Sequence, residues 1–177
     1  MSYITYRARE EDGKEILEIL ESSPAKGSIE LLYTRRPNAY VSYKKESKES
    51  DVLIVKDNEK IVGTVAQIVR DLYIDNEPKK MGYVCGLKKD SNYLGNLNCC
   101  KELIKNMVRP DIDGYYCSVI SDNKEAQTIF EKRRRKTVNV EYLQDYTTYI
   151  MAPYFKFRIK YNEFKFKRKV IIKVIVD

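Results

Sequence analysis

The feature that most constrains the fold is residues 82–120, where two strand patterns flank one helix pattern. The run KKMGYVCGLKK predicts a strand, GNLNCCKELIKNMVRP predicts a helix with one apolar side, and GYYCSVIS predicts another strand. A strand, a helix and a strand in succession place two parallel neighbours in one sheet, joined by a right-handed crossover. The chain is therefore expected to form a mixed sheet with helices on its faces.

The segments around this unit predict further elements of the same α/β sheet. SYITYRARE predicts a first strand and DGKEILEILESS a first helix, followed by a weaker helix pattern. DVLIVKDNEKIVGTVAQIVRDLYI predicts a hairpin that turns at Asp57-Asn58, and Asp75-Asn76 marks a second turn. DNKEAQTIFEKRRRK predicts a final helix after the GYYCSVIS strand. The fold class is thus α/β with a mixed, partly antiparallel sheet.

Charge divides the chain into a main domain, residues 1–133, and a basic segment, residues 134–177. Residues 131–177 hold 13 of the 33 Lys and Arg residues but only 5 of the 26 acidic residues. Within this region NVEYLQDYTTYIM, YFKFRIKY and FKFKRKVIIKVIV predict strands. We expect them to form a basic hairpin or extension that closes or extends the sheet of the main domain.

Composition excludes several kinds of site. The chain has no histidine, so Ser–His and Cys–His nucleophile systems are excluded within it. Its four cysteines show no CxxC spacing, and we expect no metal site. We expect the cysteines to act as small apolar residues. No apolar run reaches the roughly 20 residues of a membrane span, and the expected location is the cytoplasm.

This order of patterns resembles the GNAT superfamily of N-acetyltransferases over roughly residues 3–133. ITYRAREEDGKEILEIL resembles the family's first strand and helix, and VLIVKDNEKIVGTVAQI its central hairpin. The block at 82–100 resembles its acetyl-CoA motif, and VISDNKEAQTIFEK resembles the neighbouring motif. The resemblance implies a GNAT-like central mixed sheet flanked by helices, with acetyl-CoA as co-substrate.

The chemistry of acetyl-CoA fits the layout of the 82–100 block. A pyrophosphate binds backbone N–H groups at a helix N-terminus, and pantetheine amides can pair with a strand edge. The resemblance places the strand contacts at Leu87 and Lys89, with Lys88 adding positive charge. It places the remaining cofactor contacts in the turn and in the following motif: Leu94, Gly95, Asn96, Leu97 and Asn98 at the pyrophosphate, Asn123 at the pantetheine arm, and Phe130 near the thioester.

The two motifs depart from the family pattern at three positions, two in the 82–100 block and one in the neighbouring motif. Leu94 replaces a basic or amide residue, Leu97 replaces a second small residue, and Phe130 stands where the family usually has a proton-donating tyrosine. Acetyl transfer needs a neutral amine, a stabilised oxyanion and a protonated thiolate. A strand N–H near Leu87 could serve the oxyanion. The catalytic proton donor is then expected to be water or a tyrosine, Tyr115 or Tyr116, on the GYYCSVIS strand that precedes the Phe130 helix pattern.

Three functions follow from these observations. The first is an acetyl-CoA-dependent N-acetyltransferase that acts on a primary amine by direct transfer in a ternary complex. The second is a non-catalytic, degenerate acyl-CoA-binding GNAT module. The third is a basic interaction protein whose tail binds nucleic acid, although a solvated charged face is the better expectation for the tail. The expected partners are acetyl-CoA, an amine of unknown identity and a second copy of the chain, with no membrane.

Overall fold

The computed structural model describes most of the chain. It covers residues 3–24, 32–94, 98–120, 123, 124, 126, 127, 142–150 and 164–171, and for residues 146–150 and 164–171 only the backbone.

Seven strands form one mixed sheet in the described part of the chain. In sheet order they run β1-β2-β3-β4-β5-β7-β6. The only parallel neighbours among these described strands are β4 and β5, as the strand–helix–strand pattern predicted. The bounds are β1 Thr5–Arg7, β2 Asp51–Asp57, β3 Lys60–Ile74, β4 Glu77–Lys89, β5 Gly114–Ile120, β6 Tyr142–Ile150 and β7 Phe164–Ile171.

Two-residue turns connect the central strands. Asp75 and Asn76 join β3 to β4 with φ angles of 53° and 65°, where a turn was predicted. The β2–β3 turn is formed by Asn58 and Glu59, with φ angles of 46° and 69°, one residue later than predicted. Both turns use the left-handed conformation at both positions, which matches the twist of the flanking strands.

Helices cover both faces of the sheet. α1 (Gly13–Glu21) and α2 (Ala39–Glu46) lie on one face, and α3 (Asn98–Met107) lies on the other. The α1–α2 face buries a cluster that includes Ile16, Leu20 and Ile68, whereas the α3 face buries one that includes Leu103 and Val65. Alternate residues of the central strands therefore enter opposite cores.

The two described strands of the basic segment belong to the same sheet as the main domain. β7 lies between β5 and β6, so it is an interior strand, and β6 is the outer strand of the described sheet. The alternation of YFKFRIKY and FKFKRKVIIKVIV predicts two edge strands of a basic ribbon, and this prediction is wrong for the second run, which contains β7. It failed because alternation gives the strand and its faces but not its neighbours. The YFKFRIKY strand predicted over 154–161 lies outside the described residues.

Candidate functional site

The β4–β5 pair opens partway along its length. Pairing runs from Met81 and Gly114 to Val84 and Cys117, and β5 continues past this point in contact with β7. The described ladder between β4 and β5 does not include residues 85–89 of β4. We call the point where the strands separate the fork. Beyond it, the backbone groups of β4 can accept an added strand or an amide-rich chain.

A β-bulge lies just beyond the fork. Thr64 and Ala66 of β3 pair with Lys88 and Cys85 of β4, so Gly86 and Leu87 together oppose the single residue between them. Gly86 has φ +60°, and a Cβ built on it would come 2.1 Å from the hydroxyl of Tyr43. A bulge of this kind re-aims backbone groups and twists its strand. The position therefore needs glycine, both for its conformation and for space.

The two lysines of the predicted cofactor strand point to opposite faces. The Nζ of Lys88 donates to the carbonyl of Leu20 at 2.8 Å and to that of Ser23, at the end of α1. Burial lowers the pKa of Lys88. The Nζ of Lys89 instead donates to the carbonyl of Tyr93, beside the predicted pyrophosphate turn. Of the two, Lys89 is the one placed to add positive charge there.

An acidic residue orders the start of that turn. The backbone N–H of Asp90 donates to Val62 at 3.0 Å, and its Oδ1 accepts from the N–H of Asn92 at 2.9 Å. Its Oδ2 pairs with the Nζ of Lys60 at 2.8 Å. This ion pair, with the Asn92 bond, holds the pKa of Asp90 below its usual value. These contacts fix the backbone at Asp90 and Asn92, just before the predicted pyrophosphate turn.

The remaining predicted cofactor residues are only partly described. Leu94 has a fully exposed side chain. Asn98 is the first residue of α3 and is exposed, and its Oδ1 accepts from Lys101 at 3.0 Å. Asn123 caps a helical turn, since its Oδ1 accepts from the N–H of Ala126 at 3.1 Å. Three predicted turn residues and one predicted thioester contact lie outside the described residues: Gly95, Asn96, Leu97 and Phe130.

The two predicted catalytic tyrosines lie on opposite faces of β5. Tyr115 is 1% exposed in the α3-side core, and its hydroxyl accepts from the backbone N–H of Arg109 at 2.6 Å. Burial also raises its pKa. Tyr116 is half-buried on the other face, with its ring centroid 5.0 Å from that of Tyr83. The structure therefore places Tyr116, rather than Tyr115, beside the fork on the α1–α2 face.

Two further hydroxyls at the fork were missed in the sequence analysis. Tyr83 is paired with Tyr116 in the β4–β5 ladder, and its Oη lies 3.2 Å from the Oγ of Ser118. Ser118 shares a face with Tyr116 because it lies two residues further along the strand. The alternation of GYYCSVIS could have identified Ser118. The partner of Tyr83 depends on the strand register, which the sequence did not reveal.

A polar group from the α1–α2 side lies under the bulge. Arg35 stacks over the ring of Tyr43 at 4.0 Å, donates to the hydroxyl of Tyr33 at 2.6 Å, and pairs with Glu46. Tyr43 is 1% exposed, and its hydroxyl has no hydrogen-bond partner in the described structure. Tyr43 lies directly against the bulge, since a Cβ built on Gly86 would meet its hydroxyl.

The thiol nearest to this group is unsuited to nucleophilic chemistry. Burial raises the pKa of Cys85 to about 12, so it is protonated near neutral pH. Its side chain packs against the α1–α2 core, as expected of a small apolar residue. Among the described residues, no three acidic or cysteine side chains form a metal-binding group. No helix in the described ranges is long and apolar enough to cross a membrane.

Comparison with solved structures identifies the fold. An acetyltransferase of the GNAT family from Streptococcus pneumoniae matches with a TM-score of 0.64 and 14% identity, over 98% of this chain and 100% of that one. A ribosomal-protein-alanine N-acetyltransferase from Brucella melitensis matches with a TM-score of 0.65 and 12% identity, over 97% and 99%. The NatC complex bound to Gag peptide and CoA matches with a TM-score of 0.58 and 16% identity, over 99% and 100%.

These likenesses show the fold and leave the activity open. No family model matches the sequence, and no curated protein matches it. The chain nevertheless has the GNAT fold, as the sequence resemblance predicted.

Proposed function

We propose that this protein is an acetyl-CoA-dependent N-acetyltransferase that acts on a primary amine by direct transfer in a ternary complex. The observation that carries the proposal is the open β4 edge at residues 85–89, next to the bulge at Gly86. An ordinary parallel pair has no reason to separate while both strands continue. The separation, which we call the slot, leaves part of the β4 edge outside the described β4–β5 ladder, and an amide-rich pantetheine arm could pair with its backbone there.

The described residues fit the parts of acetyl-CoA in order along the chain. The edge of β4 offers hydrogen bonds to the pantetheine amides, and α3 begins directly after the segment expected to bind the pyrophosphate. Lys89 adds positive charge beside that turn. The bulge at Gly86 and Leu87 turns a backbone N–H away from the ladder, where it can stabilise the thioester oxyanion. The CoA bound to NatC, a protein of the same fold, supports the same choice of co-substrate.

The slot opens onto two different surroundings, which gives the two substrates separate places. The α1–α2 side has the Tyr33, Arg35 and Tyr43 group, whereas on the α3 side Lys89 contacts Tyr93, just before the predicted pyrophosphate turn. An amine that enters from the α1–α2 side meets the thioester at the bulge. Direct attack then needs no covalent acetyl-enzyme, and the protonated Cys85 thiol is consistent with that scheme.

Titration calorimetry with acetyl-CoA, followed by a thiol-release assay, tests the proposal. The assay uses a fixed amine panel: spermidine, tyramine, free lysine and an alanine-initiated peptide. We expect saturable binding of acetyl-CoA and release of CoA thiol that depends on one amine class. Acetylated product is then identified by mass spectrometry. Absence of binding at millimolar acetyl-CoA would sink the proposal.

A degenerate acyl-CoA-binding module is the second candidate, and Leu94 is the observation that favours it. Its fully exposed side chain supplies no charge where the family resemblance implies a basic or amide residue. Binding of acetyl-CoA without turnover of any amine would select this candidate. We expect Leu94→Arg to tighten acetyl-CoA binding roughly three- to tenfold by adding a phosphate partner, and Leu94→Met, as the matched control, to leave it unchanged.

Self-association and nucleic-acid binding remain predictions. β6 is the outer strand of the described sheet, and an outer strand is where a second copy could pair. Sedimentation of the full chain reports the oligomeric state. Retention on DNA with a steep salt dependence would support the interaction-protein alternative, and retention unaffected by salt would argue against it.

A further inference from the structure

We propose that Tyr83 and Ser118 form a proton relay that carries one proton from the attacking amine to the departing sulfur. The inference rests on the proposed acetyl transfer and assigns its proton movements to two residues of this chain. Their hydroxyl oxygens lie 3.2 Å apart, and either one can be the donor. A pair whose hydrogen bond can run in both directions can accept a proton at one end while it releases one at the other.

The pair spans the fork itself. Tyr83 belongs to β4 and lies one residue before the last paired position, Val84. Ser118 belongs to β5 and is the first residue after the last position paired with β4, Cys117. The hydrogen bond therefore crosses from one strand to the other where the backbone ladder stops. An acyl group that enters the slot with its carbonyl end foremost meets these two hydroxyls at the closed end.

Both residues are half-buried and held by their neighbours. Tyr83 packs against the α1–α2 core, and its ring lies 5.0 Å from that of Tyr116 at an interplanar angle of 40°. The bulge at Gly86 follows three residues after Tyr83 on the same strand. The relay and the backbone group expected at the oxyanion thus lie close along one strand. Such a fixed arrangement costs little reorganisation during reaction.

Two other ionisable side chains on this face, Glu46 and Cys85, are paired elsewhere or buried. The chain has no histidine. The carboxylate of Glu46 is shared between Arg35 and Arg70. The thiol of Cys85 is held protonated by burial. Among the described residues, the Tyr83–Ser118 pair is the hydrogen-bonded hydroxyl pair that crosses the fork.

The proposed step balances without an external acid or base once the neutral amine is bound. The amine lone pair forms the C–N bond, and the thioester carbonyl becomes an oxyanion. The nitrogen, now positively charged, gives a proton to the Oγ of Ser118. Ser118 passes its own proton to the Oη of Tyr83, and Tyr83 passes its proton to the sulfur as the C–S bond breaks. The products are an amide and CoA thiol, with both hydroxyls restored.

The test combines Tyr83→Phe and Ser118→Ala with hydroxyl-retaining and remote controls. We expect each variant to lower kcat by about 100-fold or more, the scale of general acid–base catalysis, with the Kd for acetyl-CoA unchanged. The double variant should fall no further than the single ones, because one relay is broken in each case. Ser118→Thr keeps the hydroxyl and should retain most activity. Tyr73→Phe, at an exposed position away from the fork, should behave as wild type.

A proton inventory separates the relay from a merely structural contact. For the wild-type protein, the plot of rate against the deuterium fraction of the solvent should bow below a straight line, because several protons move in one step. For Tyr83→Phe the plot should become straight. A thermal melt of each variant identifies loss of folding, and if Ser118→Ala unfolds, Ser118→Thr and Tyr83→Phe carry the test.

The outcomes distinguish this inference from the proposed function. If the wild-type protein turns over an amine and Tyr83→Phe does so equally well, the relay is overturned and the acetyltransferase proposal stands. The same holds if Tyr116→Phe alone abolishes turnover. If the wild-type protein turns over none of the panel amines with acetyl-CoA, both fail together.

Discussion

The two ends of the β4–β5 pair contrast sharply. At the paired end, the N–H of Lys80 donates to the Oδ2 of Asp113 at 2.6 Å, and the N–H of Asp113 returns a bond to the carbonyl of Lys80 at 2.9 Å. Arg109 adds ion pairs to Asp51 at 2.9 Å and to Asp111. At the fork, the ladder stops and a bulge and side-chain hydroxyls take its place.

The two ends have different roles: the paired end holds the strands together, whereas the fork is the proposed binding site. The paired end has a continuous backbone ladder and is reinforced by charged side chains of β2 and of the connection between α3 and β5, so it fixes how the strands enter the fork. At the fork, β4 continues beyond its pairing with β5, and we propose that the ligand binds there. The same two strands therefore provide a rigid base and an open slot.

Gly86→Ala should have the largest effect on stability and binding, because Gly86 forms the bulge. The new Cβ meets the Tyr43 hydroxyl at 2.1 Å, and an L-residue is strained at φ +60°. We expect the free energy of unfolding to fall by about 2–4 kcal/mol and any acetyl-CoA binding to weaken, measured by urea denaturation and calorimetry.

The matched control is Gly63→Ala in the neighbouring strand. There the nearest atom to a new Cβ is 3.4 Å away, and the predicted loss is under about 1 kcal/mol. Adding Tyr43→Phe to Gly86→Ala should recover part of the loss, because it removes the hydroxyl that the new Cβ meets. Equal losses at the two glycines would contradict this account of the bulge.

Tyr115→Phe and Tyr116→Phe should separate the base of the strand pair from the slot. The Tyr115 hydroxyl bonds the backbone N–H of Arg109 at 2.6 Å, so its removal leaves a donor unsatisfied. We expect Tyr115→Phe to cost about 1–3 kcal/mol of unfolding free energy while the remaining folded protein keeps its affinity for acetyl-CoA. Tyr116→Phe should change stability by less, as read from paired denaturation curves. If Tyr116→Phe lowered the free energy of unfolding more than Tyr115→Phe, the assignment of the two tyrosines to the faces of β5 would be wrong.

Lys88→Met and Lys89→Met should separate a structural lysine from a ligand-facing one. Lys88 bonds carbonyls at the end of α1, so its loss should lower stability by about 0.5–1 kcal/mol with little effect on acetyl-CoA. Lys89 lies beside the turn, so its loss should weaken binding roughly three- to fivefold, less at high salt. Calorimetry at two salt concentrations checks both expectations. If both variants weakened acetyl-CoA binding equally, the two lysines would not point to opposite faces as described.

The Asp90–Lys60 pair should give the smallest effect, visible only in acid. The Lys60 ammonium and the Asn92 N–H lower the pKa of Asp90 in the folded protein. A depressed carboxyl pKa contributes stability that is present above the unfolded pKa, about 3.9, and is lost as the pH falls through the folded value. Melting curves from pH 5 to pH 2 should therefore show a smaller acid-induced loss for Asp90→Asn than for wild type. If both proteins lost stability equally as the pH fell, the lowered pKa of Asp90 would make no measurable contribution.

Much of the fold could be predicted from local pattern. Apolar alternation identified the strands, the turn at Asp75-Asn76 was correct, and the strand–helix–strand order gave the parallel β4–β5 pair. The position of β7 could not be read in the same way. Its pairing with β5 joins residues that are far apart in the chain, and alternation says nothing about which strand lies alongside.

The candidate site was predictable to a smaller extent. The pyrophosphate turn and the cofactor strand follow from the resemblance of the 82–100 block, and they remain proposals. The direction of Lys88, the buried hydroxyl of Tyr115 and the Tyr83–Ser118 bond depend on where the bulge falls and on which face meets which helix. A single extra residue at Gly86 exchanges the two faces of the strand beyond it, and only the pairing with β3 shows this.

The sequence by itself thus determined the kinds of elements, their order and the chemistry that is excluded, because these depend on residue type and short-range spacing. A chain without histidine can use no imidazole, whatever its fold. Only the tertiary structure decided where β4 and β5 separate and which side chains meet there. The physical reason is that a ladder ends where bulges, turns and neighbouring strands compete for the same backbone groups, and that competition is settled by the whole sheet.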